Sequence, residues 1–299
     1  MYPWDSWRTL VPLLVGIAGL LAFVAYETLL APNPMIPPVL FTTRTAIASY
    51  ITTTLHGLVL WCTLYYLPLY FQTVQEYTPI TSGISLFPLS FTVAPTAAVT
   101  GFLITRTGSY RPFIWTGFAL STLGLGLMCL LRVHTSIAGW IFLLLPSGIG
   151  LGILFPSLGF AVQASAPPGR MAIAVAMFSF FRAFGQALGV AVGGVIFQNQ
   201  MRAQLLEYPA LAPFATEYSR DAAGLVAIVR GMSDWGEEGV VKGQLKEAYT
   251  DSLRVVWAVC CVVLGVAGAI SGVVRRYSLD RGIDSEQVIE ERKGEGEKV

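Results

Sequence analysis

An all-α, polytopic membrane bundle of seven helices is the fold this sequence predicts, and three observations predict it. Of the 299 residues, 54% are hydrophobic and only 12% charged, about half the charged fraction of an ordinary soluble domain. The apolar residues gather into runs long enough to cross a hydrocarbon core, which takes about 20 residues of helix. The 19 basic and 18 acidic residues lie almost wholly between those runs or in the tail. A net charge of +1 points to no nucleic acid, and the lipid bilayer is the expected partner.

The runs fall near Leu10–Leu30, Thr45–Phe71, Thr81–Ile104, Phe113–Leu131, Gly139–Val162, Met171–Phe197 and Ser252–Val274. The first is too long for the apolar part of a cleaved signal. Polar connectors separate them, and one long insert, 198–251, mixes charges of both signs with amphipathic pieces such as Ala222–Val229. Peripheral or interfacial helices are expected there, not another crossing. The organisation that follows is an outer segment 1–9, a linker helix and inner loop 10–44, a six-helix domain 45–274 and a polar, disordered tail 275–299. With that tail cytoplasmic, Arg44, Arg106, Arg111, Arg170, Arg275, Arg276 and Arg281 lie inside, and only Arg8 and Arg132 occupy short outer segments. Short cytoplasmic loops carry such an arginine excess, so the carboxy terminus is expected inside.

Arg182 is the only charge deep inside the last six runs. At mid-helix an arginine costs about 2.5–3.5 kcal/mol and normally faces a bundle interior or a watery path. Gln186 shares its face, and so do Gly185, Gly189 and Gly193, a doubled small-residue spacing that admits another backbone. The glycines read as helix packing; Arg182 and Gln186 read as a polar pathway or an ion-pair lock. On the second run Thr52, His56, Thr63, Tyr66 and Tyr70 fall on one narrow helical face. That stripe is either a cavity wall, with His56 handling protons or substrate, or a set of interhelical hydrogen bonds. Pro88 and Pro95 on the third run, and Pro146 and Pro156 around Gly148–Gly152 on the fifth, read as broken or bendable helices. The small-residue face through Cys261, Gly265, Gly268 and Gly272 reads as packing.

What the runs lack excludes other chemistry. No Asp, Glu or Lys lies within the last six, and Glu27 sits near the inner end of the first. A proton-driven machine usually needs an intramembrane carboxylate, and none is a good candidate here. With only His56 and His134 as histidines, neither a metal site nor a paired-carboxylate enzyme can be assembled, so no enzyme and no cofactor is expected. Cys62, Cys129, Cys260 and Cys261 all fall inside apolar runs without metal or loop-disulfide spacing.

The loop Gly101–Arg111, GFLITRTGSYR, resembles the cytoplasmic loop signature of the major facilitator superfamily, with Gly101, Arg106, Gly108 and Arg111 kept and Thr105 where the acidic residue would stand. In order and spacing, His56–Gln72, Ser82–Pro88, Gly148–Ser157, Phe178–Gln200 and Ala248–Trp257 resemble the carboxy-terminal half of fungal fourteen-helix drug:proton antiporters. The resemblance covers roughly residues 1–275. It implies that Leu10–Leu30 is the second of two linker helices and that a six-helix domain follows. It also implies export of drugs, toxins or secondary metabolites by two six-helix domains rocking about a midplane site, driven by a proton gradient. Arg106 and Arg111 then stand at an inner gate, and Arg182, Gln186, His56, Tyr66, Thr63 and Tyr70 line the path of a small-molecule substrate. A matching amino-terminal half is expected to precede Met1, so the chain reads as a truncated half. The expected site is the plasma membrane, with the vacuolar membrane as the alternative.

Two competing outlines share the seven runs. A non-transporting fragment fits the same sequence. A seven-helix receptor fits the count and orientation, but no cysteine is placed for an outer-loop disulfide and the last helix lacks a lysine for a retinal Schiff base.

Overall fold

The computed structural model of the chain describes residues 6–30 and 37–277. The first five residues and the expected tail from 278 onward, Arg281 included, lie outside the described residues. The described residues form ten α-helices: α1 (Trp7–Leu29), α2 (Arg44–Thr73), α3 (Pro79–Ser85), α4 (Phe87–Thr107), α5 (Arg111–Met128), α6 (Ile137–Ser165), α7 (Met171–Glu207), α8 (Ala215–Tyr218), α9 (Gly224–Gly231) and α10 (Gly236–Ser271). Among the described residues no strand forms. Hydroxyls start three of the long helices: Ser6, Thr43 and Ser136 each accept from a backbone N–H of the first turn of α1, α2 and α6, satisfying donors that a helix leaves free. Gly108 ends α4 in the left-handed region at φ 63°, its N–H on Ile104 O, a conformation that glycine adopts without steric cost.

Among the described residues six helices, α1, α2, α4, α6, α7 and α10, are long and apolar enough to cross a membrane. The expected crossing Phe113–Leu131 is α5, whose 18 residues span about 27 Å. Its N–H groups at Cys129, Leu130 and Leu131 then bond three residues back, and that tighter winding lengthens it toward a core of about 30 Å.

The packing is two-fold in pattern. The largest helix contacts are α2 with α7, α5 with α6, and α4 with α6, followed by α10 with α5, α2 and α7. Exchanging α2, α4 and α5 for α6, α7 and α10 maps α2–α7 onto α4–α6, α5–α6 onto α2–α10, and α5–α10 onto itself. A nested three-plus-three repeat behaves this way. The α7–α10 contact breaks the symmetry, because both helices run past the bundle. At 37 and 36 residues each is about 55 Å long, and Phe197 packs on Tyr249 with ring centroids 4.8 Å apart. α1 stands apart from this core: 6% of its apolar window is buried, against 61% for α2.

Three of the expected segments take a definite form. The third run takes the broken form: the chain breaks at Leu86 into α3 and α4, which places Pro88 in the first turn of α4, where a missing N–H costs no helical bond. The fifth run is not broken at its glycines, since α6 is continuous from Ile137 to Ser165. Its glycines are contact points. A Cβ at Gly148 would lie 2.5 Å from Leu89 O, one at Gly152 2.7 Å from Val93 O, and one at Gly150 2.4 Å from Ser121 N, so α4 and α5 reach the α6 backbone from two sides. The insert 198–251 is helical at both ends, because α7 continues to Glu207 and α10 begins at Gly236. Amphipathic α9 lies between them, with Leu225 and Val229 buried.

Each end of the bundle is tied by polar contacts. At the end bearing Arg106 and Arg111, the Tyr110 hydroxyl donates to Arg275 O at 2.8 Å and accepts from Tyr277 N–H at 3.0 Å. Arg275 N–H donates to Thr45 Oγ1 at 3.1 Å. At the insert end Lys242, 4% exposed, sits 2.9 Å from Glu76 Oε2 and 2.7 Å from Asp234 Oδ1. Lys246 bonds the other oxygen of Glu76, and Arg230 donates to Tyr77 O. Burial raises the Glu76 carboxyl, but the hydrogen bonds and charges of Lys242 and Lys246 outweigh it and hold the group below its ordinary value. A depressed carboxyl stabilises the fold above its unfolded value and loses that effect as pH falls through the folded one. Hydrogen exchange in α9, corrected for intrinsic rates, should therefore quicken below pH 4.5. Glu76→Gln should quicken it at neutral pH and flatten the dependence; an unchanged profile in that variant would remove Glu76 from the tie.

Candidate functional site: a cationic crevice between α6 and α7

The site begins with glycines. A Cβ at Gly185 would lie 2.0 Å from Thr54 O, one at Gly189 2.1 Å from Leu58 O, and one at Gly57 2.5 Å from Arg182 O. The α2 and α7 backbones therefore touch, with glycine supplied from both sides, as small-residue crossings in membranes require. Gly193 takes the Tyr66 ring, which a Cβ would approach to 2.6 Å. With that face of α7 held on α2, the Arg182 side chain reaches α6 and its guanidinium carbon stands 3.3 Å from the centroid of Phe155. A cation over a ring face is attracted by the ring quadrupole, more so where water is scarce.

α7 meets α6 far less closely than it meets α2, and an open crevice of about 320 Å³ lies between them. Phe155, Gly159 and Gln163 line it from α6; Val175, Phe178, Ser179, Arg182, Ala183 and Gln186 line it from α7. The Arg182 Nε is buried without a hydrogen-bond partner. All four ion pairs among the described residues lie outside the crevice, in Lys242, Lys246, Glu76, Asp234, Arg254 and Asp251. The crevice thus presents one uncompensated cation, two amides and a hydroxyl between two aromatic rings. No group of three or more potential metal ligands exists among the described residues, and the four cysteines are free.

Of the residues expected to share a pathway, Arg182 and Gln186 meet on this crevice and the α2 stripe does not line it. His56 is 1% exposed, with Nε2 3.1 Å from Leu151 O; facing a carbonyl, that nitrogen carries the proton. Thr52 and Thr63 donate to Ala48 O and Val59 O of their own helix at 2.8 Å. Tyr66 donates to Val190 O at 3.3 Å and Tyr70 to Arg132 O at 2.8 Å. His56, Tyr66 and Tyr70 thus tie α2 to α6, α7 and the α5–α6 turn, while the two threonines bond within α2. In the expected gate loop Arg106 is exposed, Gly101 lies near Pro156, and Arg111 stacks on Trp115 at 4.9 Å.

Sequence reasoning passed over Phe155, Gly159, Gln163, Phe178 and Ser179. Ser179, Arg182 and Gln186, spaced i, i+3 and i+7, form one helical face and were a readable signal. Phe155 and Gly159 carried none, since their role depends on how α6 is turned.

Comparison with known proteins agrees with this architecture. The family model described as Major Facilitator Superfamily matches residues 2–190. The chain is 51% identical over 291 residues to MFS transporter L2 of Phoma sp. (strain ATCC 20986 / MF5453), covering 97% of this chain and 48% of that protein. It is 35% identical over 288 residues to the Acurin A biosynthesis cluster MFS-type transporter of Aspergillus aculeatus, covering 95% and 51%. It is 32% identical over 300 residues to the MFS-type efflux pump LUC4 of Fusarium sp., covering 99% and 53%. The chain spans about half the length of these curated relatives. Continuous likeness across nearly all of this chain, joined to a multi-pass helical bundle with a two-fold contact pattern, identifies it as a member of the major facilitator superfamily.

Proposed function

We propose that the chain is the carboxy-terminal half of a membrane exporter of small organic molecules, drugs or secondary metabolites, and that it works by alternating access against an amino-terminal six-helix half. The observation that carries this reading is the α6–α7 crevice with the unpaired Arg182. An uncompensated guanidinium is costly against lipid and useful beside a substrate path. The half-length match to transporters and efflux pumps supports it. Proton coupling belongs to the other half on this reading, because the crevice holds no carboxylate. The carboxy terminus is cytoplasmic, with Arg44, Arg106, Arg111, Arg170, Arg275 and Arg276 on that side. The membrane is the plasma membrane, and the activity is transport without catalysis.

A chimera tests it. Grafted in place of the matching half of the 51%-identical relative, the chain should restore dye efflux in cells lacking their own pumps. Reconstituted alone under a pH gradient it should give none. A chimera that is abundant, membrane-inserted and inactive would contradict the reading, and so would concentrative flux by the isolated chain.

A further inference from the structure

We infer that the crevice selects organic anions, an aromatic carboxylate above all, with Arg182 as the residue that recognises the charge. This rests on the carrier reading and narrows its substrate class. The guanidinium has no carboxylate partner among the described residues, and its Nε has no acceptor. In a medium less polar than water an unmatched cation gains far more from an anion than from a neutral group.

The surroundings fit the same ligand. One face of the guanidinium lies on Phe155, so its donors point along its plane, the direction from which a carboxylate binds in bidentate fashion. Gln163 and Gln186 line the crevice, and their amide N–H₂ groups add donors for the second oxygen or for a ring carbonyl. Ser179 gives its own proton to Val175 O at 3.2 Å. Phe178, with Val175 and Ala183, supplies an apolar wall for a flat body. The volume of about 320 Å³ is at the small end of ligand pockets, the size of a one- or two-ring acid. A cationic ligand finds no counter-charge there.

The test uses the whole 299-residue chain in lipid nanodiscs. Ser179→Cys introduces a thiol on the crevice wall, and its labelling by a water-soluble maleimide is timed against the background of the parent cysteines. Two probes of one shape then compete, 2-naphthoate and neutral 2-naphthamide. The naphthoate should halve the labelling rate at a concentration at least tenfold lower than the amide. Adding Arg182→Gln should erase that gap, whereas Arg182→Lys, which keeps charge but loses the planar fork, should retain part of it. Equal protection by both probes, protection by neither, or a gap that survives Arg182→Gln overturns the anion selectivity and leaves the crevice standing. No labelling of Ser179→Cys would remove the crevice itself, and the carrier reading with it.

Discussion

Gly185→Leu should unseat α7 from α2 and abolish the folded bundle. A side chain there starts with a Cβ 2.0 Å from Thr54 O and 2.8 Å from Thr54 C. Both are backbone atoms, so no rotamer change on α2 relieves the overlap. Overpacking in a tight core typically costs 1–3 kcal/mol even where side chains give way; about 3 kcal/mol or more is expected where the backbone must move. Gly16→Leu on α1 is the matched control, since nothing lies within 4 Å of its Cβ and leucine is the better helix former by roughly 0.8 kcal/mol. Thermal unfolding in detergent separates them: the control should melt at or slightly above the parent, and the Gly185 variant should aggregate or melt far below it. Equal melting temperatures would show that α2 and α7 do not touch at these glycines.

Gly159→Leu should do the opposite, sparing the fold and destroying the site. Its Cβ would lie 3.7 Å from the Phe178 ring, ordinary van der Waals contact, and the remaining carbons project into open crevice instead of packed core. Stability should change by less than the roughly 1–3 kcal/mol that overpacking costs in a filled core. Efflux by the chimera should fall at least tenfold, about 1.4 kcal/mol of lost substrate binding, at unchanged abundance. Full activity with the leucine in place would put the substrate path elsewhere in the bundle.

These two glycines show where sequence reasoning reached and where it stopped. The spacing of Gly185, Gly189 and Gly193 marks a helix crossing, because small residues four apart fall on one face whatever the neighbour. Gly159 is one small residue in an apolar helix, and only the splay of α6 from α7 makes it a wall. Beside two prolines, Gly148–Gly152 reads as a break or a bend. In the structure α6 is unbroken there, and the glycines exist because α4 and α5 approach from either side. The seven apolar runs were legible because a hydrocarbon core demands length. The insert boundaries were not, since amphipathic turns extend α7 and α10 beyond that core and dissolve the contrast between run and loop.

The stripe on α2 teaches the same limit for function. Thr63, Tyr66 and Tyr70 formed a polar face that a cavity or a neighbouring helix could equally use. The hydrogen bonds to Val190 O and Arg132 O assign the tyrosines to packing in this arrangement. Arg182 is more informative because its charge narrows the choices: lipid is too costly, and no carboxylate among the described residues pairs with it.

The most direct measurement is a spin-label scan along α7 in a bilayer, reading collisions with a water-soluble nickel complex and with oxygen. Labels at Ser179, Ala183 and Gln186 should favour the nickel complex, and labels at the exposed Phe180, Phe184 and Leu188 should favour oxygen, out of phase along the same helix. Oxygen maxima at 179, 183 and 186, with no nickel contact, would place the Arg182 face against acyl chains and contradict the account.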